Sequence, residues 1–61
     1  MNASEVIKLL KKNGWVHERT SGSHYIFAKE GVAENISVPV HGNRDIAKGT
    51  LHIILKTAGL K

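Results

Sequence analysis

Cysteine is absent from this sequence, which removes disulfides and thiolate metal sites and leaves no sign of an oxidising compartment, so a cytoplasmic setting is the default expectation. Long apolar runs are also missing, and the N-terminal stretch is not hydrophobic, so neither a membrane span nor a signal peptide is expected. The His-Glu-x-x-His pattern, paired carboxylates and Cys-His ligand spacing do not occur; no dedicated metal site and no cofactor are expected. Acidic residues are scarce: five Asp and Glu stand against nine Lys and Arg, for a formal charge of +4 and a pI near 9.8. That balance favours polyanions and acidic surfaces, with nucleic acid the first partner to consider.

With 61 residues the chain reads as one domain, residues 1–61, and is too short for a large enzyme. A chain of this size buries only roughly 60% of the surface it exposes when unfolded, so its stability is modest and a partner is the expected source of any reinforcement. Its 41% hydrophobic and 23% charged residues nevertheless match an ordinary folded module rather than a disordered one.

From Asn2 to Asn13, residues Val6, Ile7, Leu9 and Leu10 fall on one helical stripe with Lys8, Lys11 and Lys12 towards solvent, which predicts a first helix stopped by Gly14. Asn2 and Glu5 have the spacing of a capping box. Trp15–Thr20 and His24–Lys29 read as strands joined by the turn Ser21-Gly22-Ser23, a hairpin. His24 and Ile26 share one face and Tyr25 and Phe27 the other. Both faces hold apolar residues, so periodicity leaves the core face open. After the loop Glu30–Glu34, the segment Asn35–Val40 forms a third strand with Ile36, Val38 and Val40 inward. Pro39 cannot donate to a ladder, so that strand lies at an edge or ends there. Beyond the polar loop His41–Asp45, residues Leu51, Ile54, Leu55 and Ala58 mark a second helix stopped by Gly59; Asp45 could cap an early turn, while Lys48-Gly49-Thr50 looks like its true start. The expected fold is α+β in the order α-β-β-β-α, a three-stranded antiparallel sheet with both helices on one face and the other face partly open.

Taken in order, these segments resemble the HicA-type toxins of bacterial toxin-antitoxin pairs, also called the YcfA-like family. The likeness spans nearly the whole chain. Ser4-Glu5-Val6-Ile7-Lys8-Leu9-Leu10-Lys11-Lys12-Asn13-Gly14-Trp15 is similar to the family's first helix and the Gly-Trp that follows it. Gly22-Ser23-His24 matches the Gly-Ser-His motif carrying the family's catalytic histidine, and Ser37-Val38-Pro39 looks like its Val-Pro strand. Lys48-Gly49-Thr50-Leu51, Ile54-Leu55-Lys56 and Ala58-Gly59-Leu60 resemble its closing helix. The resemblance implies a double-stranded-RNA-binding-domain-like fold and an mRNA interferase that cleaves messenger RNA and is silenced by a HicB-type antitoxin. Two positions depart from the family pattern: Tyr25 stands where many members carry a second histidine, and His52 where they often carry arginine.

Metal-free RNA cleavage needs a base for the 2′-hydroxyl proton, an acid for the leaving 5′-oxygen, and donors for charge developing on the phosphate; histidine suits the first two roles. His24 is the candidate catalytic residue, against the plainer reading of a surface histidine at a strand end. His41 could supply the acid or be a solvated loop residue. Gly22 serves backbone geometry or offers its N–H to a phosphate, and Ser23 donates to the phosphate or closes the turn. Lys48 and Thr50 could hold phosphate at a helix N-terminus or merely start the helix, with Arg44 flanking the same loop. Lys8, Lys11, Lys12 and Lys29 read as solvated faces. Trp15 and Tyr25 could stack on bases or pack in the core. Ile53 is expected to be exposed, as a lone surface residue or an antitoxin contact. The competing functional readings are a non-catalytic RNA-binding module of the same fold and an interaction domain with no RNA affinity.

Overall fold

Asn2 and Glu5 do form a capping box in the computed structural model, which describes residues 1–61. The Asn2 side chain accepts from the Glu5 N–H at 3.0 Å, and the Glu5 carboxylate accepts from the Asn2 N–H at 2.9 Å. These bonds satisfy backbone donors that a helix start leaves unpaired. The helix, α1, runs over Ala3–Lys12 and turns Ala3, Val6 and Leu10 into the core. It closes with Gly14 at φ +90°, a conformation that costs a glycine little. There the Gly14 N–H donates to the Lys11 carbonyl and the Trp15 N–H to the Leu10 carbonyl. Trp15 is therefore spent on the helix end, with its ring buried, and β1 begins one residue later than the hydrophobic pattern suggests.

The strands are β1 (Val16–Ser21), β2 (His24–Ala28) and β3 (Ile36–Pro39), followed by α2 (Lys48–Thr57). They form one antiparallel sheet in the order β1-β2-β3. The α-β-β-β-α arrangement is the expected one, and Pro39 ends an edge strand as its missing N–H requires. β3 is shorter than the run Asn35–Val40 suggested, and β2 stops at Ala28.

Burial decides the question that alternation left open. Phe27, Ile36 and Val38 are buried together with Ala3, Val6 and Leu10 of α1, Trp15, Ile46, and Ile54 of α2. The core face of the sheet is thus the one carrying Tyr25 and Phe27, and His24 and Ile26 lie on the face away from the helices. Both helices pack over β3, while every residue of β1 is exposed. A bulge between His17 and Arg19 breaks the alternation of β1, so His17 and Thr20 share the helix-side face. There His17 stacks on Tyr25 with ring centroids 4.9 Å apart and lies 5.5 Å from Phe27, screening the sheet where no helix covers it. A regular hairpin pattern does not reveal an extra residue of this kind.

The loop before α2 is held by the start of α1. Asn2 and Asp45 form an isolated antiparallel bridge, and the Ile46 N–H donates to the Met1 carbonyl at 2.9 Å. Asp45 does not cap α2; the N-cap is Ala47, with no side-chain bond to the helix. α2 ends as α1 does, with Gly59 and Leu60 donating back to Lys56 and Leu55. No helix is long and apolar enough to cross a membrane.

Neighbouring isoleucines of α2 test this packing, since Ile54 is 3% exposed and Ile53 65%. Ile54→Val is expected to lower stability by about 1 kcal/mol, and Ile53→Val to change it by less than about 0.5 kcal/mol. Urea unfolding of the two variants beside the parent chain measures the difference.

Candidate functional site

Gly22 and Ser23 form the entire connection between β1 and β2, closed by the pair Ser21 and His24. Gly22 has φ +59°, whereas no residue other than glycine has positive φ. Glycine first in a two-residue turn is the II′ pattern, whose twist matches that of the flanking strands. A Cβ on Gly22 would meet no atom within 4 Å, so backbone conformation, not space, requires glycine. The turn delivers His24 to the first position of β2, exposed and on the open face of the sheet.

The imidazole is not free there. His24 Nδ1 lies 3.2 Å from Ser37 Oγ on β3. His24 pairs with Pro39, and Ser37 with Ile26, so Ser37 is the diagonal cross-strand neighbour of His24 on the same face. The rest of this face carries Val16, Arg19 and Ser21 of β1 with Ile26 and Ala28 of β2. It is an uncovered surface of mixed apolar and polar character with the histidine near one end.

A second group of candidates collects in a cleft of about 250 Å³ after β3, lined by His41, Arg44 and Thr50 together with Pro39 and Asp45. All three of these candidates are exposed. Lys48, the first residue of α2, is exposed and outside this lining. The uncapped start of α2 leaves its first N–H groups without side-chain acceptors, and that end of a helix favours anions. Asp45 brings a negative charge to the same lining, its carboxylate 3.9 Å from the N-terminal amine of Met1.

The two groups meet through the backbone. Pro39 is the partner of His24 in the sheet and also lines the cleft, and the Val40 N–H donates to the Ser23 carbonyl at 2.8 Å. The turn Gly22-Ser23 and the loop from His41 therefore leave the same end of the sheet.

Other candidates are placed elsewhere. Trp15 is 2% exposed and cannot stack on bases. Tyr25 is half-buried on the helix side beneath His17. Since adjacent strand residues face opposite ways, a side chain at position 25 cannot share the surface of His24, so Tyr25 takes nothing from that face. His52 is exposed on α2. No group of three or more His, Cys, Asp or Glu side chains is placed to hold a metal ion. Two neighbours of His24 are missing from the candidates that the sequence offers: Ser37, which enters there as part of the third strand and of the Ser37-Val38-Pro39 motif, and Pro39, which enters as an edge marker and as part of the same motif. The signal for Ser37 is its polarity between two inward residues, which puts it on the open face.

A family model described as "HicA toxin of bacterial toxin-antitoxin" matches residues 3–60. Among solved structures, a chain of the "HicA3 and HicB3 toxin-antitoxin complex" is similar to this one at 38% identity and a TM-score of 0.72, covering 100% of this chain and 97% of that chain. No curated protein matches.

The turn geometry makes a direct prediction. Gly22→Ala is expected to lower stability by about 1–2 kcal/mol, the cost of forcing an L-residue to positive φ, with the loss read from the urea midpoint.

Proposed function

This chain belongs to the HicA family of bacterial toxins, and from that premise we propose that it is the toxin of a type II toxin-antitoxin pair, an endoribonuclease that cleaves messenger RNA with His24. In this reading residues 1–61 act as one toxin domain in the cytoplasm, stopping translation until a HicB-type antitoxin covers the site. The observation that carries the reading is an exposed His24 on an uncovered sheet face, hydrogen-bonded by Ser37 and joined through Pro39 to the cleft of His41, Arg44 and Thr50.

The reaction follows from these groups. A ring nitrogen of His24 takes the proton of a 2′-hydroxyl while that oxygen attacks the adjacent phosphorus. The bond from phosphorus to the 5′-oxygen breaks, and the leaving oxygen receives a proton, leaving a 2′,3′-cyclic phosphate and a 5′-hydroxyl. By reversal of roles His24 could instead serve the leaving oxygen, with His41 the candidate for the complementary step. In this reading Arg44, Lys48, the Thr50 hydroxyl and the N–H groups opening α2 take phosphates, as cations, hydroxyls and helix N-termini do. The Gly22 N–H and the Ser23 hydroxyl are donors beside His24 itself. None of these steps uses a metal ion or cofactor.

Purified chain is expected to cleave RNA in the presence of EDTA, and induced expression to arrest growth with loss of mRNA. His24→Ala should abolish both while remaining folded. If the two proteins cleave alike, His24 is not catalytic; if both bind RNA in a salt-dependent way without cleaving it, the chain is an RNA-binding module of the same fold. Replacing Arg44 and Lys48 together by Ala should weaken RNA binding and reduce the slope of log K against log salt by about 1.4, roughly 0.7 for each phosphate of a single strand that is no longer neutralised. Filter binding of the His24→Ala background over a salt series measures that slope.

A further inference from the structure

We propose that Ser37 is the positioning residue for His24, holding Nδ1 so that Nε2 is the nitrogen presented to RNA. The proposal rests on the catalytic reading of His24. The contact to Ser37 Oγ, at 3.2 Å, is the one side-chain hydrogen bond that His24 makes. Otherwise the ring stands exposed on the open face, with Ser21 and Pro39 as its direct cross-strand neighbours. An unheld imidazole would spend much of its time in orientations unable to reach a phosphate, and a displacement of about 1 Å at a reacting group can cost on the order of 100-fold in rate.

The chemistry of a hydroxyl suits the task. Serine both donates and accepts, so the contact survives a change in ring protonation. With the proton on Nδ1, the ring donates to Ser37 Oγ and the Nε2 lone pair is free to take the 2′-hydroxyl proton. The resulting imidazolium keeps its Nδ1–H on Ser37 and carries the new proton on Nε2, from which it can be returned. No bond to Ser37 breaks in either direction. A carboxylate at the same place would favour the charged ring, whereas the neutral hydroxyl orients the ring without adding charge to a surface that must accept phosphate.

The position also fits the fold. Ser37 lies between Ile36 and Val38, both buried, so strand pairing and core packing hold its backbone on both sides. A side chain anchored this way is a firmer support than one on the loop that follows β3. Because Ser37 is exposed and outside the core, its replacement can be examined without unfolding the chain.

The test compares Ser37→Ala and Ser37→Thr with the parent chain and with His24→Ala, after confirming equal unfolding midpoints. Ser37→Ala is expected to lower kcat by about 10-fold with KM changed less than about twofold, and Ser37→Thr, which keeps the hydroxyl, to restore most of the loss. Independently of activity, the ¹⁵N resonances of the His24 ring should shift in Ser37→Ala and return in Ser37→Thr. Parental kcat together with unchanged ring resonances in Ser37→Ala would overturn the proposal, as would a rise in KM alone, which would make Ser37 a phosphate contact. Retained cleavage by His24→Ala would instead remove the catalytic reading, while the ring resonances would still report whether Ser37 holds the imidazole.

Discussion

Phe27 is fully buried between the sheet and the helices, opposite Ile36 in the register of β2 and β3, and the placement of His24 and Ser37 depends on that burial. Side chains alternate along a strand, so committing Phe27 to the core commits His24 to the far face. A slip of one residue would exchange the two sets, exposing the phenyl ring and turning the imidazole to the helix side. The same alternation sends Ile36 and Val38 inward and Ser37 outward. Core packing and the contact between His24 and Ser37 are thus two consequences of one register, and a variant that loosens the first loses the second.

The distribution of cover is uneven for a physical reason. Two helices of ten residues each can shield only part of a sheet, and here they lie over β3, leaving β1 exposed throughout. The stack of His17 on Tyr25 shields part of the remaining helix-side surface. The other face stays open, and Val16 on it is 66% exposed. Leaving such a face uncovered forgoes stabilisation worth about 25 cal/mol per Å² of apolar surface, and a chain of 61 residues has little stability to spare. In the proposed function this face receives RNA or the antitoxin, and a surface with that role has to remain uncovered in the free molecule.

The helix ends show how local signals work when they succeed. Asn2 with Glu5, and Gly14 and Gly59 beyond the last turns, each satisfy backbone groups within a few residues of themselves, so no distant contact is needed to read them. The turn at Gly22 is legible for the same reason. Where local reading erred, a distant partner had intervened. Asp45 carries a side chain suited to capping, but its backbone is engaged by Asn2, and α2 starts without a side-chain cap. Trp15 looks like the first residue of a strand, but its N–H closes α1 and its ring enters the core.

By itself, then, the amino-acid order determined the number and sequence of elements, the capping box of α1, the glycine stops of both helices, the glycine turn before His24 and the family motif that the turn carries. Each of these rests on interactions spanning a few positions, which a linear pattern records. The tertiary structure alone decided which face of β2 is buried, where β1 bulges, that Ser37 reaches His24 across 13 residues of chain, and that His41, Arg44 and Thr50 line one cleft. Those outcomes depend on strand register and on which apolar side chains the helices can cover. Burial summed over the whole core sets both, and no single segment contains that sum.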